Sequence, residues 1–152
     1  MLGITHVLFA AVFAFLLVNF FSFSYPVHFF LLFCFAALLP DVDHPGSTLG
    51  KKIWPLSWVI SLFFGHRGFL HSVFIPIAFL FLGWYFHLLW VGIAIAGGYC
   101  AHLVSDALTL SGIRPFWFGP KVRGIIRTAG FLEMLFFFLM LVFFIWLFFE
   151  TL

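Results

Sequence analysis

The sequence predicts an all-α integral membrane protein with about five transmembrane helices and one short interfacial or re-entrant segment. Of its 152 residues, 65% are hydrophobic and only 8% are charged, and the mean hydropathy is +1.24. A soluble domain of this length has too little interior to bury so much apolar surface. A single polytopic membrane domain covering residues 1–152 is therefore expected.

The predicted membrane-spanning helices follow from the long uncharged runs of the chain. They cover about residues 3–21, 27–39, 69–85, 88–110 and 131–149. The second is short and ends before Pro40, which has no N–H to continue the helix. The third contains Pro76, which is expected to kink it. Residues 51–64 are too short to cross, so we expect them at the interface or re-entrant, with Trp54 and Trp58 at headgroup depth.

The lysines and arginines of the chain all fall on one predicted side of the membrane. With five spans, the side that holds the N-terminus also holds residues 40–67 and 111–130. These loops carry every cation: Lys51, Lys52, Arg67, Arg114, Lys121, Arg123 and Arg127. Because positively charged loops stay in the cytoplasm, the N-terminus is predicted to be cytoplasmic and the C-terminus external. The net charge is only +2, and no nucleic-acid partner is predicted.

Acids and histidines from four separate segments are predicted to meet at this cytoplasmic face. His102 and Asp106 are four residues apart, so both side chains lie on one face of the fourth predicted span. A carboxylate in a membrane is costly without a partner, and a metal ion accepts an imidazole and a carboxylate together. A helix-packing Asp–His pair is the alternative for these two residues. The predicted metal ligands are His6, Asp41, Asp43, His66, His71, His102 and Asp106.

This ligand set favours one or two divalent metal ions at a catalytic site. Nitrogen and oxygen ligands without cysteine suit zinc, with manganese and iron as alternatives. The set exceeds what one catalytic zinc takes from a protein, so it fits two ions or one ion with a base and orienting groups. The step from Asp41 to Asp43 is expected to be extended, which would point both carboxylates the same way.

Four short motifs carry a resemblance to a known family. They are Thr5-His6, residues 39–45 (LPDVDHP), residues 65–72 (GHRGFLHS) and residues 98–109 (GYCAHLVSDALT). Together they resemble the motifs of the YdjM-type membrane-bound metal-dependent hydrolases. The resemblance covers most of residues 1–116 and implies a small polytopic protein with metal-dependent hydrolase activity. The motifs of that family coincide with the seven predicted ligands.

The sequence-based interpretation is a hydrolase acting on a lipid-borne ester, with a phosphoester favoured, at the cytoplasmic interface. Metal-activated water would attack, and Asp43 or Asp41 could act as general base. Arg67 and Arg114 are the candidates for stabilising charge on phosphoryl oxygens. The expected partner is a membrane lipid, either a phospholipid or another lipid phosphate, and the oligomeric state is left open.

A metal or ion transporter, or a metal-binding regulatory membrane protein, is the alternative interpretation. Intramembrane acids and histidines also mark ion pathways. A transport path, however, places polar groups through the midplane and at the opposite face. There the sequence offers His28, His87 and Asn19.

The predicted topology can be tested with reporter fusions. A reporter that is active only outside the cytoplasm should be active when fused after Leu152 and inactive in the loop between Gly112 and Arg127, because that loop is basic. The reverse pattern would invert the orientation and place the histidines and acids outside the cell.

Overall fold

The computed structural model describes residues 1–64 and 67–151, and these residues form helices and loops without a β-strand. The helices are α1 (Gly3–Phe20), α2 (Pro26–Ala36), α3 (Trp54–Phe64), α4 (Phe74–Tyr85), α5 (Leu89–Ala107) and α6 (Phe131–Glu150). Short 3₁₀ turns cover Pro40–Asp43 and Phe69–His71. The loop from α5 to α6 folds back on itself, with isolated bridges from Thr109 to Ile126 and from Ile113 to Val122. The prediction of an all-α protein is confirmed.

Among residues 1–64 and 67–151, four segments are long and apolar enough to cross a membrane. They are Gly3–Phe20, Pro26–Asp43, Leu89–Ala107 and Phe131–Glu150. The second comprises α2 and the 3₁₀ turn that follows it. Helices α3 and α4 are also apolar but shorter. The protein is therefore an integral membrane protein, as the composition predicts.

The structure revises the predicted span over residues 69–85. Helix α4 begins only at Phe74, because Ser72 is extended and the Val73 N–H donates to the Pro115 carbonyl, 2.8 Å away, in the α5–α6 loop. Pro76 consequently lies in the first turn of α4, where no intrahelical N–H is needed, and the expected kink has no cause there. The result is a short helix packed along α5.

Helix α5 is the centre of the bundle and packs against α1, α2 and α4. Its approach to α2 depends on two adjacent glycines. A Cβ on Gly98 would lie 2.0 Å from the Phe33 carbonyl oxygen, and one on Gly97 would lie 2.4 Å from the Phe33 ring. Any side chain here would force the helices apart. Helix α6 packs against α1 and exposes most of its surface, as expected of a lipid-facing helix.

One end of the bundle collects polar contacts between distant segments, and we call it the polar end. The starts of α1 and α6 meet there, since the Leu2 N–H donates to Glu133 Oε1 at 2.6 Å. The end of α5 meets the segment after α2, where His102 Nδ1 lies 2.7 Å from the Ala37 carbonyl oxygen. The 3₁₀ turn at Pro40–Asp43 completes this end. The expected extended conformation of Asp41 to Asp43 is therefore wrong, because the chain keeps winding after α2.

Candidate metal centre

Asp106, at the end of α5, is the centre of the polar end. Its side chain is only 1% exposed, although it is a carboxylate. Three imidazoles surround it: Nε2 of His6 lies 3.5 Å from Oδ1, and Nε2 of His71 and His102 lie 3.8 and 3.9 Å from Oδ2. These histidines come from α1, the second 3₁₀ turn and α5, and each is at most 1% exposed. The predicted convergence of separate segments is thus observed.

The opposite ring nitrogen of each histidine lies beside a hydrogen-bond acceptor. His102 Nδ1 donates to the Ala37 carbonyl oxygen. The Ser105 hydroxyl donates to the His102 carbonyl oxygen at 2.9 Å, so its oxygen accepts the proton of His6 Nδ1 at 2.6 Å. His71 Nδ1 lies 3.0 Å from Asp43 Oδ2. In the neutral imidazole a proton on Nδ1 leaves a lone pair on Nε2.

The three lone pairs therefore face Asp106, a negatively charged acceptor. Nε2 of His6 and of His102 has no hydrogen-bond partner among residues 1–64 and 67–151. An imidazole lone pair that faces a carboxylate is repelled by it, and a cation placed between the two removes that repulsion. Neutral Nε2 atoms and a carboxylate oxygen are also the ligand atoms that zinc and related metals take from proteins, and an acceptor on the far nitrogen is the usual arrangement around such ligands.

Within the part of the chain that the structure describes, two overlapping groups of residues could hold a metal ion. His6, Asp41 and His102 form one, and His71, His102 and Asp106 form the other, with the ligand atoms of each group within 4.8 Å of one another. His102 is shared, and its Nε2 lies 3.8 Å from Asp41 Oδ1. The residues present therefore fit a site for one ion or for two adjacent ions. The ligand types do not identify the metal.

Arg67 links the buried carboxylates. Its guanidinium Nη2 lies 2.8 Å from Asp106 Oδ2, and its backbone N–H donates to Asp43 Oδ2 at 3.0 Å. Its φ of 62° lies in the left-handed region, which a non-glycine residue adopts at a cost of roughly 1–2 kcal/mol. This strained backbone is held at a charged cluster, as is common at functional sites. The Met1 amino nitrogen also lies 2.7 Å from Asp106 Oδ1.

A polar cavity of about 800 Å³ opens beside this cluster. Asp41, 15% exposed, faces it together with the loop after the first 3₁₀ turn and the start of the α5–α6 loop. Four cationic side chains line it: Lys51, Arg67, Arg114 and Lys121. The cavity thus joins a cluster of metal-ligand types to a cationic wall that suits an anion.

Most of the predicted site residues come together. The cluster consists of His6, Asp41, His71, His102 and Asp106. Asp43 contacts the cluster through His71, and Arg67 forms an ion pair with Asp106. Arg114 is exposed and lies at the cavity wall rather than in the cluster. His66 falls outside the described residues, so its predicted role as a ligand stays a prediction.

The sequence reasoning missed several residues of this site. Lys51 lines the cavity, although its charge indicated only topology. Ser105 is fully buried and orients His6, and Thr109 donates to the Asp106 carbonyl oxygen at 2.7 Å. The signal for Ser105 and Thr109 was present, since both are polar residues at the end of an apolar span beside a candidate ligand.

The YdjM inner membrane protein family model matches residues 1–151. The chain belongs to this family. Among its relatives, the inner membrane protein YdjM of Escherichia coli (strain K12) is 40% identical over an alignment of 90 positions, and the match covers 53% of this chain and 44% of that protein. The uncharacterized protein YvsG of Bacillus subtilis (strain 168) is 35% identical over 103 residues, 65% of this chain and 64% of the relative.

The YdjM relationship confirms the resemblance of the four motifs and the membrane location. The match spans less than half of the Escherichia coli YdjM and under two thirds of YvsG. No solved structure matches this chain. The name of the Escherichia coli relative states a membrane location, and neither name states an activity.

The metal site predicts a specific effect of Asp106→Asn on thermal unfolding. A metal that binds only the folded state stabilises it by about 2.7 kcal/mol when the free ion is at 100 times its Kd. Purified wild type in detergent should therefore melt at a lower temperature with chelator than with zinc. Asp106→Asn keeps the side-chain shape but removes the charge, so zinc and chelator should give nearly the same melting point.

His87→Asn is the matched control, because His87 is exposed at the α4–α5 turn, away from the polar end. Its zinc-dependent shift should equal that of the wild type. Equal shifts in wild type and Asp106→Asn would mean that Asp106 binds no metal and only pairs the helices.

Proposed function

We propose that this protein is a membrane-embedded, metal-dependent hydrolase that cleaves a lipid-borne phosphoester at the cytoplasmic face. The observation that carries the proposal is the contact between the buried His/Asp cluster and an open cavity with a cationic wall. A divalent ion in the cluster, with zinc favoured and manganese or iron as alternatives, supplies Lewis acidity for activating water and neutralising phosphoryl charge. His6, His71, His102 and Asp106 are the side chains that would hold it.

The cavity wall is suited to binding a phosphate. Arg114, Lys51 and Lys121 present charges to the open part of the cavity, while Arg67 lies at its base next to Asp106. Guanidinium groups bind phosphate oxygens through paired hydrogen bonds, and charges fixed in place stabilise the negative charge that develops during hydrolysis. Arg114 would bind the substrate, and Arg67 would contact the reacting phosphoryl group.

Asp41 and Asp43 differ in what they are able to do. Asp43 is fully buried and holds His71 and the Arg67 backbone, so it orients other groups. Asp41 is partly exposed and lines the cavity, where it can accept a proton from water. In the proposed reaction the water oxygen bonds to phosphorus, the bond from phosphorus to the lipid oxygen breaks, and that oxygen takes up a proton.

A lipid-borne substrate fits the position of the site. The cavity opens at the ends of membrane-spanning segments, where lipid headgroups lie, and it has no soluble domain above it in residues 1–64 and 67–151. The one-sided cations support a cytoplasmic orientation of this face, with the N-terminus inside and the C-terminus outside.

A transport function finds less support. The buried polar side chains of the described residues lie at the polar end or in the loops beside it, apart from Ser57 on α3. Asn19, His28 and His87, the polar residues expected towards the opposite face, are all exposed. A transport path needs polar groups at the midplane as well.

Hydrolysis is tested with purified protein in mixed micelles that contain phosphatidic acid, a phosphomonoester, or phosphatidylglycerol, a phosphodiester. Products are followed by phosphorus NMR with zinc, manganese or iron added. Wild type should hydrolyse one of the two lipids. His102→Ala should lose activity, and Asp41→Asn should lower kcat by roughly 10²–10⁴-fold, the usual contribution of a general base.

Arg114→Gln and Arg123→Gln form a matched pair, because both arginines are exposed on the same loop but only Arg114 lines the cavity. Arg114→Gln should raise KM, and Arg123→Gln should leave it unchanged. Wild type that hydrolyses neither lipid with any of the three metals would refute the proposal.

A further inference from the structure

A second cavity, of about 630 Å³, lies between the starts of α1 and α6, and we call it the apolar groove. Leu2, Ile4, Met134, Phe137 and Phe138 supply most of its wall. Its one acid, Glu133, is 2% exposed and accepts backbone N–H groups from Leu2 and Ala129, both at 2.6 Å. The groove therefore offers an almost purely apolar surface.

The apolar groove and the polar cavity are neighbours. Leu2 lines both of them, and its N–H bond to Glu133 fixes the wall between them. Ile4 is 64% exposed and Phe138 is 53% exposed, so the groove opens outward along the membrane-spanning part of the bundle. One cavity thus leads to the cationic, polar end and the other leads to the lipid side.

We propose that the apolar groove binds one acyl chain of the lipid whose phosphate binds in the polar cavity. This inference rests on the proposed function and specifies its substrate as a phosphate lipid with at least one long chain. The polar cavity is suited to an anionic group, because four cationic side chains line it. The position of the apolar groove favours an acyl chain there, because a lipid whose phosphate lies in the polar cavity has its chains next to the groove on the other side of Leu2.

In this proposal the groove fixes the position of the bound lipid and adds little to its binding affinity. A chain that leaves the bilayer for an apolar protein surface exchanges one hydrocarbon environment for another, so little free energy is gained. Holding the chain beside α6 does, however, fix the depth and direction of the attached phosphoester relative to Asp41 and Arg67. Fixed geometry of this kind is a large source of rate enhancement.

The test uses phosphatidic acid with a photoactivatable diazirine in one acyl chain, incorporated into phosphatidylcholine vesicles with the wild-type protein. Cross-links should map to residues 2–5 and 129–138 in excess over the other exposed faces of α4 and α6. Met134→Trp fills the groove and should lower this labelling several-fold. Leu135→Trp is the matched control, because Leu135 is the adjacent, similarly exposed residue and does not line the groove.

A diazirine diacylglycerol without phosphate serves as the second probe. It should label the groove much less than phosphatidic acid, because it has no group for the cationic cavity. Equal groove labelling by the two probes, or equal labelling of Met134→Trp and Leu135→Trp, would overturn the proposal and leave an ordinary lipid-filled crevice.

Hydrolysis measured in the same vesicles separates this inference from the proposed function. Phosphate-dependent labelling of the groove by a protein that hydrolyses neither phosphatidic acid nor phosphatidylglycerol, with zinc, manganese or iron, supports the acyl-chain site and refutes the hydrolase. Hydrolysis that is equally fast in wild type and Met134→Trp, without preferential labelling of the groove, supports the hydrolase and refutes the acyl-chain site.

Discussion

The burial of the Asp106 carboxylate is the constraint on which the rest of the polar end depends. Removing an ionised carboxylate from water costs several kcal/mol unless cations or donors replace the water. In the structure Arg67 and the Met1 amino group contact its two oxygens, and three histidines surround it. Met1 and His6 come from the start of the chain, Arg67 and His71 come from the loop before α4, and His102 lies on α5 itself, so the charge at the end of α5 ties three segments together at this end.

The surrounding histidines are poor partners for that charge in their neutral form. Acceptors on their Nδ1 atoms, including the Ala37 carbonyl and the Ser105 oxygen, fix the proton away from Asp106. If the cluster served only to pack the helices, the folded protein would be more stable with the imidazole N–H groups donating to the carboxylate. Fixing lone pairs and a carboxylate to face one another is an arrangement that a divalent cation converts from repulsive to stabilising. This is the physical reason for favouring a metal site over a structural Asp–His pair.

The sequence alone predicts the fold class and most residues of the candidate site. Composition determines the membrane environment, and the four-residue spacing of His102 and Asp106 places both on one helix face whatever the details of packing. The convergence of His6 and His71 was predicted by counting the membrane-spanning helices. Every second helix runs in the same direction, so the starts of the first and third predicted helices lie on the same side of the membrane. Helix α4 is shorter than the predicted span and is not one of the four segments long enough to cross among the described residues, so the count of five spans stays a prediction.

Features that depend on close packing were beyond the sequence. The carbonyl that fixes His102 belongs to Ala37, and it comes within 2.7 Å because Gly97 and Gly98 let α5 approach α2. The 3₁₀ turn at Asp41–Asp43 forms because the chain continues to wind past Pro40. The strand-like alternation of the two acids does not predict this local conformation. The left-handed Arg67 likewise follows from tertiary contacts at both its N–H and its guanidinium group.

X-ray absorption at the zinc edge, on protein loaded with zinc and freed of excess ion, tests the central claim most directly. The account predicts nitrogen and oxygen ligands at roughly 2.0–2.1 Å, the outer-shell scattering of at least two imidazoles, and loss of one imidazole in His102→Ala. Zinc surrounded by oxygen alone, a sulfur ligand near 2.3 Å, or a spectrum unchanged in His102→Ala would contradict it.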